Sequence, residues 1–274
     1  MNPIDDPDVY RQTQLEQDAH VLVETLDDCS LQPVIANGKR SEDNKFMWNS
    51  LTEQTPPTPR YVLNSIARLM LYVGSKVFTK ATRLSSEEDR GAILAAAIQH
   101  QLPEDIDLPM GLSRWVTQPK DDRPDIPLVM EFAATRLHFD GITKNEPKEQ
   151  LVVVDDLIST GGTMNAQTHG IIEQTNHDIV GVVLVADKGY GGVERLQNTM
   201  GNLKGANDRI YDPEPKVVAQ LDLSGPRSKV SELYLPDGDR LLHDIRRSIE
   251  RQGRKFIDNK NQGLITEHLG RTKS

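Results

Sequence analysis

The 274-residue chain contains a single cysteine, Cys29. One cysteine cannot form an intrachain disulfide, and so little cysteine is typical of proteins in the reducing cytoplasm. Long apolar runs are also missing, because none approaches the ~20 residues that a membrane-spanning helix needs. The first residues are acidic and lack the apolar segment of a secretory signal. We therefore expect a cytoplasmic protein without a membrane segment.

Basic residues are scarce. The sequence has 32 lysines and arginines against 41 aspartates and glutamates, which gives a formal net charge of −9 and a pI near 5.3. Contacts with nucleic-acid phosphates require clustered basic side chains, so this balance predicts no nucleic-acid partner. Mean hydropathy is −0.52 and 36% of the residues are hydrophobic. A core is therefore possible, but a large part of the chain must face water.

The most informative stretch is residues 151–164. Leu151 to Val154 form an unbroken aliphatic run, which predicts a strand buried on both faces, as in a parallel sheet. We expect this strand to end at two adjacent carboxylates, Asp155 and Asp156. A turn of small and hydroxyl residues follows at 159–163, and then a helix from Met164 to about Glu173.

This order of residues suits a phosphorylated sugar. A strand that leads through a Gly-rich turn into a helix presents free backbone N–H groups and the positive helix end to an anion. Gly161 and Gly162 let the backbone approach a phosphate closely. The carboxylate pair suits vicinal ribose hydroxyls or a hydrated Mg²⁺ beside the phosphate. We predict a ribose 5-phosphate site; the alternative is a buried strand whose aspartates cap the following helix.

The stretch resembles the phosphoribosyl pyrophosphate (PRPP) signature of type I phosphoribosyltransferases, and most of all that of the adenine phosphoribosyltransferase branch. The resemblance implies that Asp155 and Asp156 hold the ribose hydroxyls and, indirectly, Mg²⁺. It also implies a 5-phosphate site made of Ile158, Ser159, Thr160, Gly161, Gly162 and Thr163. It covers roughly residues 46–200 and does not explain the two ends of the chain.

Met130-Glu131-Phe132 is similar to the Leu-Glu-Tyr element of adenine phosphoribosyltransferases, whose acidic residue lies on a mobile loop over the reacting ribose and base. The resemblance makes Glu131 the candidate general acid/base. A carboxylic acid under a closed lid can have a raised pKa and can move a proton to or from a purine nitrogen. The alternative is that Glu131 is a solvated carboxylate on a strand or loop.

Two further segments resemble the parts of the family that bind pyrophosphate. Glu88-Asp89-Arg90-Gly91 is similar to the pyrophosphate loop and places Arg90 at the start of a helix, where the helix dipole also favours an anion. Leu112-Ser113-Arg114 resembles the Ile-Arg-Lys strand end. The resemblance therefore makes Arg90 and Arg114 candidate pyrophosphate ligands.

The sequence departs from the family after Arg114. Trp115 stands where the family has Lys, and Gln118-Pro119-Lys120-Asp121 replaces the usual Lys-Leu-Pro-Gly. Lys120 is the candidate that substitutes for the missing cations. These changes bear on the affinity for pyrophosphate or on the identity of the substrate.

Trp48-Asn49-Ser50-Leu51 matches the family's Phe-Arg-Asp-Ile segment, which belongs to a small hood ahead of the first long helix. In the family its aromatic ring stacks on the base. An indole offers a larger stacking face than a phenyl ring, so Trp48 is the candidate base-binding residue for a planar heterocycle. The alternative is that Trp48 lies in the core of the hood with Phe46 and Met47.

Helix and strand patterns alternate through residues 58–223, which predicts an α/β fold with a parallel sheet flanked by helices and ligands at the carboxyl ends of the strands. We expect helices at 11–28, 58–72, 92–101, 164–173 and 240–255, and strands at 76–79, 107–116, 128–139, 151–154, 179–186 and 217–221. The last of these strands is expected at the edge of the sheet.

Three regions are predicted: an N-terminal extension with the hood at 1–57, the phosphoribosyltransferase core at 58–223, and a C-terminal helical extension at 224–274. The amphipathic helix 240–255 is expected to pack on the body or on a subunit partner.

The sequence thus predicts a Mg²⁺-dependent enzyme that transfers the 5-phosphoribosyl group of PRPP to a ring nitrogen of a purine or purine-like base. Its partners would be PRPP, a small heterocyclic base and, as a homodimer, a second copy of the chain. One alternative is a regulator that binds PRPP without turnover, which Trp115 and Gln118 favour. Another is a phosphoribosyltransferase for an unusual base in a specialised pathway. A PRPP-making or PRPP-releasing enzyme has no visible ATP-site motif to support it.

Overall fold

The structure is a computed structural model of the chain. It describes residues 7–29, 35–36, 39–40, 58–87, 90–103, 106–115, 137–140, 147–207, 210, 212–222, 229–235 and 237–251. Three of the predicted site residues, Trp48, Lys120 and Glu131, lie outside this part of the chain.

The described helices are α1 (Pro7–Cys29), α2 (Arg60–Val73), α3 (Ser75–Phe78), α4 (Arg90–Gln101), α5 (Gly162–Gln174), α6 (Gly192–Asn207) and α7 (Gly238–Arg251). The described strands are β1 (Ile35–Ala36), β2 (Lys39–Arg40), β3 (Arg83–Glu87), β4 (Met110–Trp115), β5 (Leu137–Asp140), β6 (Gln150–Ile158), β7 (Asp178–Asp187), β8 (Lys216–Asp222) and β9 (Lys229–Leu233).

Seven of these strands form one sheet in the order β5-β4-β3-β6-β7-β8-β9. The five central strands run parallel, and the two outer strands, β5 and β9, run antiparallel to their neighbours. Strands β3, β6 and β7 lead into α4, α5 and α6, so the starts of these helices gather at one edge of the sheet. The predicted α/β fold with a mostly parallel sheet is confirmed.

Strand β6 separates two halves of the hydrophobic core. Val152 and Val154 pack in one cluster with residues of α1, α2 and α4, whereas Leu151 and Val153 pack in a second cluster with residues of α5 and α6. Successive side chains of a strand point to opposite faces, so an unbroken aliphatic run is what a strand covered on both sides requires. The predicted burial on both faces is confirmed.

Two of the strand predictions are wrong. The strand expected at 76–79 is the short helix α3, because the adjacent Val77 and Phe78 are both buried in the same core cluster, whereas a strand would send them to opposite faces. Val217–Leu221 is a strand, but it is not the edge of the sheet, because β9 pairs with it on the outer side. The periodicity of one segment cannot show whether another segment will pair with it.

Both ends of the described chain pack on the sheet region. Leu22 and Leu26 of α1 and Leu242 and Ile245 of α7 are buried in the same cluster as Val154. Helix α7 contacts β9 and α1, in agreement with the expectation that it packs on the body. The division of the chain at residues 57 and 223 stays a prediction, although the sheet itself continues past 223 to β9.

Among the described helices, none combines the length and the apolar character that crossing a bilayer demands.

Candidate active site

The turn between β6 and α5 begins at Ile158 and ends at Gly162. Ile158 is buried in the core, Ser159 and Thr163 are half-buried, and Thr160 is exposed. Gly161 precedes the first residue of α5 and has φ +76°, a left-handed conformation that glycine adopts without strain. The backbone N–H groups at the start of α5 have no intrahelical acceptor, so this end of the helix suits an anion.

A second glycine-rich turn holds this turn in place. It joins β7 to α6, and Gly189 and Gly191 in it also have positive φ angles. The N–H of Lys188 donates to the carbonyl oxygen of Ile158 at 2.9 Å. A Cβ on Gly192 would overlap the carbonyl oxygen of Ser159, and a Cβ on Gly161 would lie 2.8 Å from the carbonyl oxygen of Gly192. The backbones of the two turns are therefore in direct contact.

The sequence analysis did not identify Gly192 as part of the site. The sequence does contain a pattern that points to Gly192. The buried strand 178–187 ends in Asp187 and is followed by the glycine-rich segment 189–192. This repeats the order of strand, acid, glycines and helix that marks residues 151–164.

Asp155 and Asp156 lie within β6 and not beyond its end. The strand was expected to end at these two residues, but it continues for two more, because β6 remains paired with β7 as far as Ile158. The two side chains are 5% and 3% exposed. The N–H of Asp156 donates to Oδ1 of Asp155 at 2.8 Å, and the N–H of Leu157 donates to Oδ1 of Asp156 at 2.7 Å. The carboxyl groups are thus fixed by the strand backbone.

The electrostatics of this pair disfavour a charged carboxylate at Asp155. Burial raises the pKa of Asp155 well above its ordinary value of 3.8, and the negative charges of Asp156 and Glu87 raise it further. A cation or a set of hydroxyl donors placed beside the carboxyl groups would relieve this repulsion. The pair is therefore suited to a ligand that brings hydroxyl groups, positive charge or both.

Among the described residues, no group of three or more histidines, cysteines, aspartates and glutamates could hold a metal ion by itself. Mg²⁺ is commonly held by one or two carboxylates together with water and substrate phosphates. Asp155 and Asp156 fit that donor set, because they form an oxygen-rich pair whose mutual repulsion a divalent cation would offset.

The start of α4, which contains Arg90 and Gly91 of the predicted pyrophosphate loop, lies near the turn 158–162. Helix α4 begins at Arg90, one strand away from the start of α5. A Cβ on Gly91 would lie 2.9 Å from Cβ of Ser86 and 3.1 Å from the carbonyl oxygen of Val154, so the start of α4 packs directly on β3 and β6. The structure describes the backbone of Arg90 but not its side chain.

Arg114 lies near the end of β4, where it pairs with His138 of β5. Strand β4 is two strands away from β6, and only the backbone of Arg114 is described. The structure thus brings together the turn 158–163, the two aspartates and the start of α4. The assigned roles of these residues remain predictions.

The fold and the two turns define the class of protein: an α/β protein with a glycine-rich turn and two buried carboxyl groups near the carboxyl edge of a mostly parallel sheet. No protein-family model matches the chain. Curated proteins with similar sequences do match the chain. The chain is 28% identical over 117 residues to a hypoxanthine/guanine phosphoribosyltransferase of Methanothrix soehngenii, an alignment that covers 40% of this chain and 59% of the relative.

An adenine phosphoribosyltransferase of Maricaulis maris is 30% identical over 122 residues, which is 43% of this chain and 65% of the relative. A hypoxanthine/guanine phosphoribosyltransferase of Methanocaldococcus jannaschii is 27% identical over 173 residues, which is 62% of this chain and 84% of the relative. The chain thus spans about three fifths of the length of the first two relatives and more of the third. These relatives are all named as phosphoribosyltransferases, so the chain is similar in sequence to that group of proteins.

Solved structures with a similar arrangement include an orotate phosphoribosyltransferase of Mycobacterium tuberculosis, with a TM-score of 0.47 and 16% identity over 73% of this chain and 95% of the other. An adenine phosphoribosyltransferase of Rhodothermus marinus has a TM-score of 0.45 and 18% identity over 73% of this chain and 98% of the other.

Proposed function

We propose that the protein transfers the 5-phosphoribosyl group of PRPP to a ring nitrogen of a purine or purine-like base and releases pyrophosphate. The observation that carries the proposal is the position of a buried carboxyl pair in the same strand that leads into a glycine-rich turn and a helix, with the start of α4 one strand away. The curated relatives are named adenine and hypoxanthine/guanine phosphoribosyltransferases, which supports a purine acceptor.

PRPP would bind across the carboxyl edge of the sheet. Its 5-phosphate would accept hydrogen bonds from the backbone N–H groups and hydroxyls of residues 159–163. Asp155 and Asp156 would accept hydrogen bonds from the ribose hydroxyls. Arg90 at the start of α4, with Arg114 and Lys120, would neutralise the pyrophosphate. This arrangement would fix the ribose between two anion sites on neighbouring strands, which is catalysis by positioning.

Bound Mg²⁺ would supply positive charge that stabilises the leaving pyrophosphate. Asp155 and Asp156 are the residues that would hold it, partly through water and through the oxygens of PRPP. The same two carboxyl groups would orient the ribose.

The reaction forms one bond and breaks one bond at C1′. The lone pair of a ring nitrogen forms the bond to C1′, the C1′–O bond to pyrophosphate breaks, and its electron pair leaves with the pyrophosphate. Positive charge develops on the ribose ring in between, so burying the site and fixing charges around it lower the barrier. The nitrogen's proton would pass to the Glu131 carboxylate, and Trp48 would stack on the base.

We place the enzyme in the cytoplasm as a homodimer.

A second candidate function is a PRPP-binding regulator without turnover. It is favoured by Trp115 and Gln118, which stand where the family places lysines. Without those cations, the leaving pyrophosphate would be less stabilised. The binding of the ribose 5-phosphate part of PRPP would be affected less. The two candidates therefore differ in pyrophosphate release and not in PRPP binding.

The first experiment is a calorimetric titration of the protein with PRPP and Mg²⁺, followed by pyrophosphate release with adenine, hypoxanthine, guanine and orotate. Binding with release on a purine supports the enzyme, whereas binding without release on any of the four supports the regulator. No binding of PRPP would refute both. Asp156→Asn should weaken PRPP binding at least tenfold, and the exposed Asp244→Asn is the matched control that should not.

Glu131→Gln separates binding from chemistry. If Glu131 moves the proton, the variant should keep PRPP affinity within about twofold and lose at least 100-fold in turnover, on the usual scale of general acid/base catalysis. Unchanged pyrophosphate release in this variant would remove Glu131 from the mechanism while leaving the PRPP site intact.

A further inference from the structure

Asp187 is the last residue of β7 and leads into the second glycine-rich turn. It is buried, with 7% of its surface exposed. Its Oδ1 accepts a hydrogen bond from the N–H of Gly189, two residues further along the chain, at 2.9 Å. A carboxylate that binds the N–H two residues on forms an Asx turn, which fixes the local backbone. The Asp187 carboxyl group therefore sets the direction in which the chain leaves the sheet.

The same carboxyl group is held from the side of β8. The side-chain amide of Gln220, the register partner of Asp187, donates to it. The Tyr234 hydroxyl donates to Oε1 of Gln220 at 3.2 Å, so the amide group is itself oriented. Burial raises the pKa of Asp187 above its ordinary value, whereas the bonds from Gly189 and Gln220 act to lower it. These bonds therefore favour the carboxylate, the form that accepts from Gly189.

The second glycine-rich turn lies between β8 and the predicted phosphate turn, residues 158–162. Gly189 has φ +77°, and a Cβ on it would lie 3.1 Å from the carbonyl oxygen of Leu221 in β8. On the other side, the N–H of Lys188 donates to the carbonyl oxygen of Ile158 at 2.9 Å. The turn thus transmits the position of β8 to the predicted phosphate turn.

Lys188 is the residue between the two ends of the Asx turn. Its peptide group cannot rotate freely while the Gly189 N–H is bonded to the Asp187 carboxylate. Removing the acceptor would free this peptide group and with it the Lys188 N–H that reaches Ile158. The contact with the predicted phosphate turn therefore depends on a side chain that lies in the neighbouring strand.

We propose that Asp187 is a positioning residue for the 5-phosphate of the substrate: its carboxylate fixes the second glycine-rich turn, and that turn holds residues 158–162 in the geometry that binds ribose 5-phosphate. Asp187 acts through the backbone of Lys188 and Gly189 and not by contact with PRPP. The inference rests on the proposed function, because it needs a phosphate on the turn after β6.

The test measures the two halves of PRPP separately, each with Mg²⁺. Ribose 5-phosphate reports on the predicted phosphate turn, whereas pyrophosphate reports on the predicted site at the start of α4, which follows β3 on the other side of β6. Dissociation constants are measured by calorimetry on the full chain and on the variants Asp187→Ala, Asp187→Asn and Asp212→Ala.

Asp212→Ala is the matched control. The Oδ1 of Asp212 accepts from the N–H of Glu214, also two residues further along, at 3.1 Å. This turn precedes β8, so it lies at the edge of the sheet where the parallel strands begin and away from the predicted site. The control removes the same kind of hydrogen bond without touching the second glycine-rich turn.

We expect Asp187→Ala to weaken ribose 5-phosphate about tenfold, the usual scale of a hydrogen bond to a charged group, and to leave pyrophosphate within about twofold. Asp187→Asn keeps an Oδ1 acceptor for the Gly189 N–H and should rescue ribose 5-phosphate binding to within about threefold of the parent. Asp212→Ala should change neither ligand.

Unchanged affinity for ribose 5-phosphate in Asp187→Ala would refute the inference. Equal losses for ribose 5-phosphate and pyrophosphate would also refute it, because they would indicate a general loss of structure, and so would a loss in Asp187→Asn as large as in Asp187→Ala. In these cases the parent protein still binds PRPP and the proposed function stands. If the parent binds neither ribose 5-phosphate nor PRPP, the proposed function fails and the inference fails with it.

Discussion

Asp155 shows at the scale of one residue how a buried acid costs stability. Its carboxyl group is 5% exposed and lies beside Asp156 and near Glu87, so its charged form is disfavoured by burial and by repulsion. Nothing in the packing of β6 requires an acid at this position, because the neighbouring inward positions are filled by valine and leucine. Buried acids with a raised pKa are concentrated at functional sites, which is why Asp155 is a candidate ligand-binding residue.

The first prediction concerns Asp155→Asn. An acid whose pKa is raised on folding is most stabilising at low pH, below its ordinary pKa of 3.8, and that stability is lost as pH rises toward the folded-state pKa. The introduced asparagine would keep the Oδ1 acceptor for the Asp156 N–H and would not titrate. We expect the variant to be more stable than the parent at pH 7 by about 1–3 kcal/mol and to lose PRPP binding.

Urea unfolding between pH 4 and pH 8 measures this effect. The advantage of the variant should grow with pH from about 4 upward and then level off. The exposed Asp244→Asn should shift stability by less than about 0.5 kcal/mol across the range. A variant that is less stable than the parent at pH 7 would show that the Asp155 charge is compensated in the folded protein.

At the scale of elements, the site depends on two turns that lie against each other. The turn after β6 contains the residues that the sequence singled out, but its backbone position is set by the start of α6. Gly192 has no side chain, so it allows the backbones of the two turns to approach each other. Gly161 allows the same approach and also has a left-handed backbone conformation. The distinction is visible only when both helices are in place.

The second prediction compares two glycines of the same helix. Gly192→Ala would place a Cβ against the carbonyl oxygen of Ser159 and within 2.8 Å of Cγ1 of Ile158. We expect it to displace the phosphate turn, weaken PRPP binding at least tenfold and destabilise the protein by about 1–3 kcal/mol. The control, Gly201→Ala, meets nothing within 4 Å and should stabilise the helix by about 0.5–1 kcal/mol.

Calorimetry with PRPP and thermal unfolding measure both changes. If Gly192→Ala binds PRPP as tightly as the parent, the backbone contact between the turns is not needed for the site. An equal loss of stability in Gly201→Ala would indicate a general effect of alanine in α6.

At the scale of the whole molecule, the N-terminal helix is part of the core. Arg68 of α2 contacts both carboxylate oxygens of Asp18 in α1, at 2.8 Å from Nε and 2.6 Å from a terminal nitrogen. The Asp18 side chain is only 1% exposed, and Leu22 and Leu26 of the same helix are fully buried. Helix α1 therefore contributes buried apolar area to the same cluster that supports β6, and its buried Asp18 carboxylate pairs with the partly exposed Arg68.

The third prediction concerns this ion pair. Arg68→Met leaves the Asp18 charge buried without its guanidinium, which costs about 3–5 kcal/mol. The double variant Arg68→Met, Asp18→Leu removes both charges and should recover much of the loss. Glu24→Gln, which removes the partly exposed pair of His20 and Glu24, should cost less than about 1 kcal/mol.

Denaturant unfolding measures the free energy of unfolding of each of these variants. A double variant that is as unstable as Arg68→Met would contradict this expectation. It would mean that the two side chains stabilise the packing of α1 in addition to neutralising each other's charge.

The sequence by itself determined the class of fold, the buried strand, and the glycine-rich turn that follows its two acids, because each follows from local periodicity or from neighbouring residues. It also predicted the helix that begins at Arg90. The tertiary structure decided that the acids lie inside β6, since β7 extends the pairing to Ile158.

The tertiary structure also decided which distant segments meet. Residues 75–78 form a helix, which places both Val77 and Phe78 in the same core cluster. Strand β9 pairs with the outer side of β8, so β8 is not the edge of the sheet. Gly192 touches Ser159, and Tyr234 is hydrogen-bonded to Gln220, across separations in sequence that no local pattern spans. Contacts of this kind depend on sheet order, which is fixed only when all strands have paired.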